Sequence, residues 1–238
     1  IVNGENAAGG FGITPSICEE FFEAGVNVVT TGNHIWDQRE IIAHIDSEPR
    51  LLRPANYPNG VPGLGHYVAH GQDHEPVAVI NVMGRVFMNP LDNPFHVINE
   101  EIEAIRQDAQ IVIVDFHAEA TSEKLAMGWH LAGKVTAVVG THTHVQTADE
   151  RILPNGTAYI TDVGMTGPHD SIIGVHTGPA LQRFLNGMPS RFETATGNPR
   201  LNAVIITADD ATGRATGIVR VNVSAESLET SSTELVST

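Results

Sequence analysis

Five runs rich in β-branched residues set the terms on which this chain can fold: "VNVVTTGNH" (26–34), "VAVINVMG" (77–84), "QIVIVDFHAE" (110–119), "VTAVVGTHTH" (135–144) and "TAYITDVG" (157–164). Each has the length and composition of a strand. Between several of them lie stretches with helical spacing of apolar residues, at 14–24, 36–47, 97–108, 121–132 and 178–187. Strands that alternate with helices predict a layered α/β sheet, partly parallel. Thr121 or Ser122 is the expected N-cap of the helix over 121–132, and Gly133 its stop. Residues 201–223 read instead as an antiparallel hairpin turning at "DDATGR". With no internal repeat and no long Pro/Gly/Ser linker, one domain is expected over 1–223, and the polar, acidic stretch 224–238 is expected to be a disordered tail.

Chemistry-bearing residues gather where the apolar runs stop. "VNGEN", "TTGNH", "VDFHAE" and "GTHTH" each finish in metal-ligand residue types. The carboxyl ends of parallel strands open onto one crevice, so Glu5, Asn6, Asn33, His34, His117, His142 and His144 can converge although they are scattered along the chain. Gly4, Gly32 and Gly140 stand just before these groups, where a close backbone approach is needed. A single strand-end histidine is most often a capping or packing group. The set together, with an H-x-H expected to present both imidazoles on one face of an extended strand, points to a metal site. Nitrogen and oxygen donors without thiolate suit manganese, iron or zinc rather than calcium.

Composition narrows the partners. The formal charge of −15, from 28 acidic against 13 basic residues, repels a long polyanion, so duplex nucleic acid is not an expected partner. Twelve histidines reinforce the metal reading. The one cysteine, Cys18, lies in an amphipathic helical pattern and reads as a packing residue. A lone cysteine and the absence of a long apolar run lead to the expectation of a cytoplasmic protein without a membrane partner.

The ordered set "GEN…GNH…H…H-x-H" resembles the signature of the calcineurin-like metallophosphoesterases. "NGENAAGGFGIT", "TTGNHIWD", "DFHAEATSEK", "GTHTHVQTAD" and "TDVGMTGPHDSIIG" together resemble its YmdB branch, from Val2 to about residue 223. The resemblance implies a β-sandwich flanked by helices, four layers in the order α/β/β/α, with a dinuclear centre at one edge. Two metals, iron or manganese first and zinc next, would be bridged by Glu5; Asn6 and His144 would bind the first, and Asn33, His117 and His142 the second. His34 would stay uncoordinated beside the substrate. Two such cations, about 3.5–4 Å apart, acidify a water and clamp phosphate oxygens, while a histidine is suited to protonate the departing alkoxide. The implied activity is hydrolysis of small phosphodiesters, with 2′,3′- and 3′,5′-cyclic nucleotides as candidates. The alternatives are a phosphomonoesterase or phosphoprotein phosphatase, and a metal-bound regulatory protein with vestigial activity. A homo-oligomer is compatible with all three.

Two positions depart from the broad pattern. The bridging Gly-Asp is here Gly4-Glu5, as in the YmdB branch, and the family's opening Asp motif has no counterpart, so a first strand-helix unit is expected to precede Ile1. Among the remaining polar groups, Asp162, His169 and Asp170 in "TDVGMTGPHDSIIG" are available to shape the site, with His169 a candidate substrate contact. Arg85 is expected to pair with an acidic neighbour, and Asp115 to support a ligand imidazole. His44, His66, His70, His74, His96, His130 and His176, in predicted helices or loops, read as surface or packing residues. Trp36 reads as helix start and core face.

Overall fold

The computed structural model describes residues 1–71 and 75–227, so His74 and the greater part of the expected tail lie outside the described residues. The strands are β1 (Val2–Asn3), β2 (Val29–Thr30), β3 (His66–Ala69), β4 (Val77–Met83), β5 (Ile111–His117), β6 (Ala137–Thr141), β7 (Arg151–Leu153), β8 (Thr157–Ile160), β9 (Gly167–Pro168), β10 (Pro199–Ala208) and β11 (Ala215–Ser224). The helices are α1 (Pro15–Glu23), α2 (Ile41–His44), α3 (Pro94–Ile105), α4 (Thr121–Leu131) and α5 (Thr177–Asn186). Six strands form the central sheet in the order β3-β4-β5-β6-β8-β7. Its inner strands β4, β5, β6 and β8 are parallel, while β3 and β7 close the two edges antiparallel.

Alternation along the strands decides what each face meets. Ala78, Ile80 and Val82 of β4 and Val112, Val114 and Phe116 of β5 pack with Ile98 and Ile105 of α3 and Met127 and Leu131 of α4. On the other face Ile113, Ala137 and Ala158 pack with Ile206, Ala215 and Ile218 of the β10–β11 hairpin. Further along, Val79 packs with Val28 and Leu52, next to the parallel pair β1–β2. Asp115 and His117, in phase with Ile113, therefore point away from α3 and α4 and towards β1–β2. The fold is a mixed α/β arrangement with a central sheet and helices, and the hairpin over 201–223 forms as expected.

Several boundaries differ from the sequence reading. The run 26–34 contributes only Val29–Thr30 to a ladder, because residues beyond Thr30 turn out into the site. The expected helix 36–47 shrinks to α2 and a 3₁₀ turn over Ile45–Ser47. Tertiary tethers hold its first turn elsewhere: the Asp37 carboxylate is engaged by His34, and Gln38 Nε2 donates to the Phe11 carbonyl at 2.8 Å. Trp36 accordingly packs outside a helix, edge-on to Tyr57. Helix α3 starts three residues early, at Pro94, where the Asn93 side chain accepts the Phe95 N–H. Helix α4 is capped by Ala120 with no side-chain bond, not by Thr121 or Ser122, although Gly133 does follow its end. Cys18 is buried, and burial pushes its thiol up to about 12, in keeping with a packing role.

His66 lies on strand β3, not in a helix or loop, and its Nδ1 contacts the Glu101 carboxylate of α3. Hydrogen bonding to Glu101 raises its pKa from the ordinary 6.5. A raised native pKa means that the native state holds the proton more tightly than the unfolded chain does. The pair's contribution to stability is therefore complete below pH 6.5 and fades as the pH rises through the raised value. Thermal denaturation across pH 5–9 is expected to show this loss in the wild type and to lack it in Glu101→Gln; parallel curves for the two proteins would refute the linkage.

Candidate metal centre

The centre sits where β1, β2, β5 and β6 end together. β1 leads through Gly4 to Glu5 and Asn6, β2 through Gly32 to Asn33 and His34, β5 ends on His117, and the loop after β6 carries His142 and His144. His117 stands opposite Thr141 in the β5–β6 register, which brings the His142 loop beside it.

Two donor groups converge. Around His117 Nε2 lie Glu5 Oε1 at 3.0 Å, Asn33 Oδ1 at 3.0 Å and His142 Nδ1 at 3.1 Å. Glu5, His117 and His142 form a cluster able to hold a metal ion. On the other side of the same carboxylate, Asn6 Nδ2 lies 3.4 Å from Glu5 Oε2 and 3.2 Å from His144 Nε2. The two oxygens of Glu5 thus face different groups.

The outer nitrogen of each imidazole fixes its tautomer. His117 Nδ1 bonds Thr141 Oγ1 at 2.9 Å, and that hydroxyl donates to Asp115 Oδ1 at 2.7 Å, so the proton sits on His117 Nδ1. His142 Nε2 meets Glu119 Oε2 at 3.0 Å, and His144 Nδ1 donates to the Ile173 carbonyl at 3.0 Å. All three remaining ring nitrogens turn lone pairs inward. Around His117, four acceptors then face one another, an arrangement that positive charge relieves, either a second proton on His117 Nε2 or a cation. Asn6 Oδ1 is a further acceptor, buried without a hydrogen-bond partner among the described residues. These observations fit a metal-binding site.

Electrostatics follow the same geometry. Burial raises the Glu5 carboxyl, but the charge and hydrogen bond of His117 and the backbone N–H of His34 outweigh it and hold the group at about 2. Burial, reinforced by His117, lowers His142 to about 4, so its ring is neutral and free to ligate at neutral pH. Asp115 is raised by burial and is held by Thr30, Asn3 and Thr141. It supports the His117 imidazole through the Thr141 hydroxyl.

His142 and His144 are not on an extended strand. β6 ends at Thr141, and both histidines take positive φ, 102° and 67°. Such conformations cost about 1–3 kcal/mol each for residues with a side chain and persist only where neighbours enforce them. The imidazoles converge through a left-handed loop, not through strand alternation.

His34 contacts the site through its backbone, which donates to Glu5 Oε1 at 2.9 Å. Its ring Nδ1 bonds Asp37 Oδ2 at 2.7 Å and the ring packs T-shaped against Phe11, leaving Nε2 without a hydrogen bond among the described residues. His169 lines a cavity of about 280 Å³ next to His144, with both ring nitrogens bonded, to the Gly167 carbonyl and to Asn202 Nδ2. Asp170 accepts from Asn198, and Asp162 pairs with Lys124 beneath the His142 loop. The guanidinium of Arg85 makes no ion pair among the described residues; the backbone N–H of Arg85 donates to Glu123 instead. Sequence reasoning missed Asp37, Glu119 and Thr141, of which Glu119, two residues beyond His117, and Asp37, one turn beyond His34, carried a spacing signal.

A family model described as YmdB-like protein matches residues 1–221. Among curated proteins, the 2′,3′-cyclic-nucleotide 2′-phosphodiesterase of Bacillus subtilis (strain 168) is 51% identical over 223 residues, 93% of this chain and 83% of that protein. A crystal structure described as a hypothetical protein from Thermus thermophilus superposes with a TM-score of 0.87 at 44% identity, over 94% of this chain and 86% of that one. A crystal structure of a novel phosphatase from Mycoplasma pneumoniae gives 0.86 at 36% identity, over 94% and 81%. Among the described residues, no helix is long and apolar enough to cross a membrane.

Proposed function

Because the chain belongs to the YmdB-like family, we propose that it is a metal-dependent phosphodiesterase that opens 2′,3′-cyclic nucleotides. The observation that carries this reading is the Glu5 carboxylate, whose two oxygens face two separate donor groups. Glu5, Asn6 and His144 would hold one cation and Glu5, Asn33, His117 and His142 the other, manganese, iron or zinc by donor type; together they would supply an acidified water and a clamp on the phosphate oxygens.

The chain's own groups supply the rest. His34, bonded at Nδ1 to Asp37, keeps Nε2 available to pass a proton to the departing ribose oxygen as water adds to phosphorus and the ring P–O bond breaks. Glu119, Thr141 and the Ile173 carbonyl keep the ligand imidazoles aimed inward. A helix-covered sheet whose other face meets β1–β2 and the hairpin supports the four-layer sandwich within the same reading.

The test is a comparison of substrates with added Mn²⁺ or Fe²⁺. Purified protein is expected to open 2′,3′-cyclic AMP and to cleave bis-p-nitrophenyl phosphate faster than p-nitrophenyl phosphate. A preference for the monoester would favour a phosphatase, and no hydrolysis of any of the three despite bound metal would favour a regulatory protein.

A further inference from the structure

We propose that Asp162, backed by Lys124, is the positioning residue that locks the His142–His144 loop into its metal-binding shape, an inference that rests on the metal centre proposed above. Asp162 and Lys124 are each 1% exposed, and Lys124 Nζ lies 2.7 Å from Asp162 Oδ2. The same oxygen accepts the Thr143 N–H at 3.0 Å and the Thr143 hydroxyl at 2.7 Å. Its partner Oδ1 accepts the Gly164 N–H at 2.8 Å. Thr143 is the single residue between the two ligand histidines, so one buried carboxylate grips the loop at its midpoint.

Both neighbours of Thr143 adopt positive φ, which a free loop of non-glycine residues would abandon. Two charge-assisted bonds to Thr143 supply the enforcement. Lys124 in turn is admitted by Gly140: a Cβ there would lie 3.1 Å from Lys124 Cδ and 1.7 Å from the Thr161 carbonyl oxygen. Helix α4, strand β6 and the segment after β8 are thereby tied to a single point under the loop. Because His142 belongs to one donor group and His144 to the other, a shift at Thr143 would loosen both.

The experiment measures Mn²⁺ affinity by titration calorimetry and amide hydrogen exchange over 141–145 without metal. Asp162→Asn is expected to weaken Mn²⁺ roughly 10–100-fold and to speed exchange in that segment, with Lys124→Met following it. Thr143→Val removes one bond from a half-exposed residue and is expected to keep the fold while weakening Mn²⁺ several-fold. Thr157→Val, in a buried hydroxyl network at the opposite end of the sheet, is expected to lower Tm and leave Mn²⁺ affinity alone. Wild-type affinity and exchange in both Asp162→Asn and Thr143→Val would overturn the proposal, as would an equal loss of affinity in Thr157→Val. Faster exchange in Asp162→Asn, with no Mn²⁺ binding by the wild type, would support the clamp and fault the metal reading instead.

Discussion

His142→Ala is expected to lose bound metal and with it all turnover, whereas His34→Ala keeps its metal and loses roughly 10²–10⁴-fold in kcat. The difference lies in which atoms each residue offers. His142 turns Nδ1 towards His117 Nε2 at 3.1 Å, and Glu119 holds the opposite nitrogen, so truncation deletes a donor whose orientation is already fixed. Its ring, held at about 4 chiefly by burial, carries no proton that a cation would have to displace at neutral pH. His34 touches the donor groups through its backbone N–H on Glu5, and alanine retains that group. What the variant loses is the imidazole that Asp37 orients, hence proton delivery to the leaving oxygen. Metal content by plasma mass spectrometry beside steady-state kinetics decides the matter. Equal metal loss in both variants would undo this division of roles.

The second large effect is expected at Gly32. A Cβ at this position would lie 2.3 Å from both Cδ2 and Nε2 of His117 and 2.5 Å from Glu5 Oε1. Neither neighbour can step aside cheaply, because Thr141 anchors the ring and the His34 N–H anchors the carboxylate. Gly32→Ala must therefore displace two ligand groups at once, and is expected to abolish metal binding while costing about 1–3 kcal/mol of stability through overpacking. Gly178→Ala meets nothing within 4 Å and is the silent control. Denaturant melts and metal titrations of the two variants test this; wild-type metal affinity in Gly32→Ala would show that the backbone gives way more easily than the packing indicates.

The donors themselves were legible in the sequence. Strand ends announce themselves where β-branched runs stop, and parallel strands deliver their ends to one edge, so ligand types at those positions imply a shared crevice before any coordinate is known. The β10–β11 hairpin was legible too, since its turn residues separate two apolar runs of matched length. Short edge elements such as β3, β7 and β9 left no period to read, being two to four residues long.

Only the tertiary structure decided how those donors are aimed. Thr141 meets His117 through strand register, Glu119 meets His142 across a loop, and Asp162 reaches Thr143 from another segment. The paired histidines looked like neighbours on one strand face, yet they converge in left-handed conformations that local preference disfavours. Local sequence sets which groups are present and where strands end, because both depend on side-chain type and short-range period. The orientation of a ring and the strain of a loop depend on bonds between residues far apart in sequence, and those exist only once the sheet has assembled.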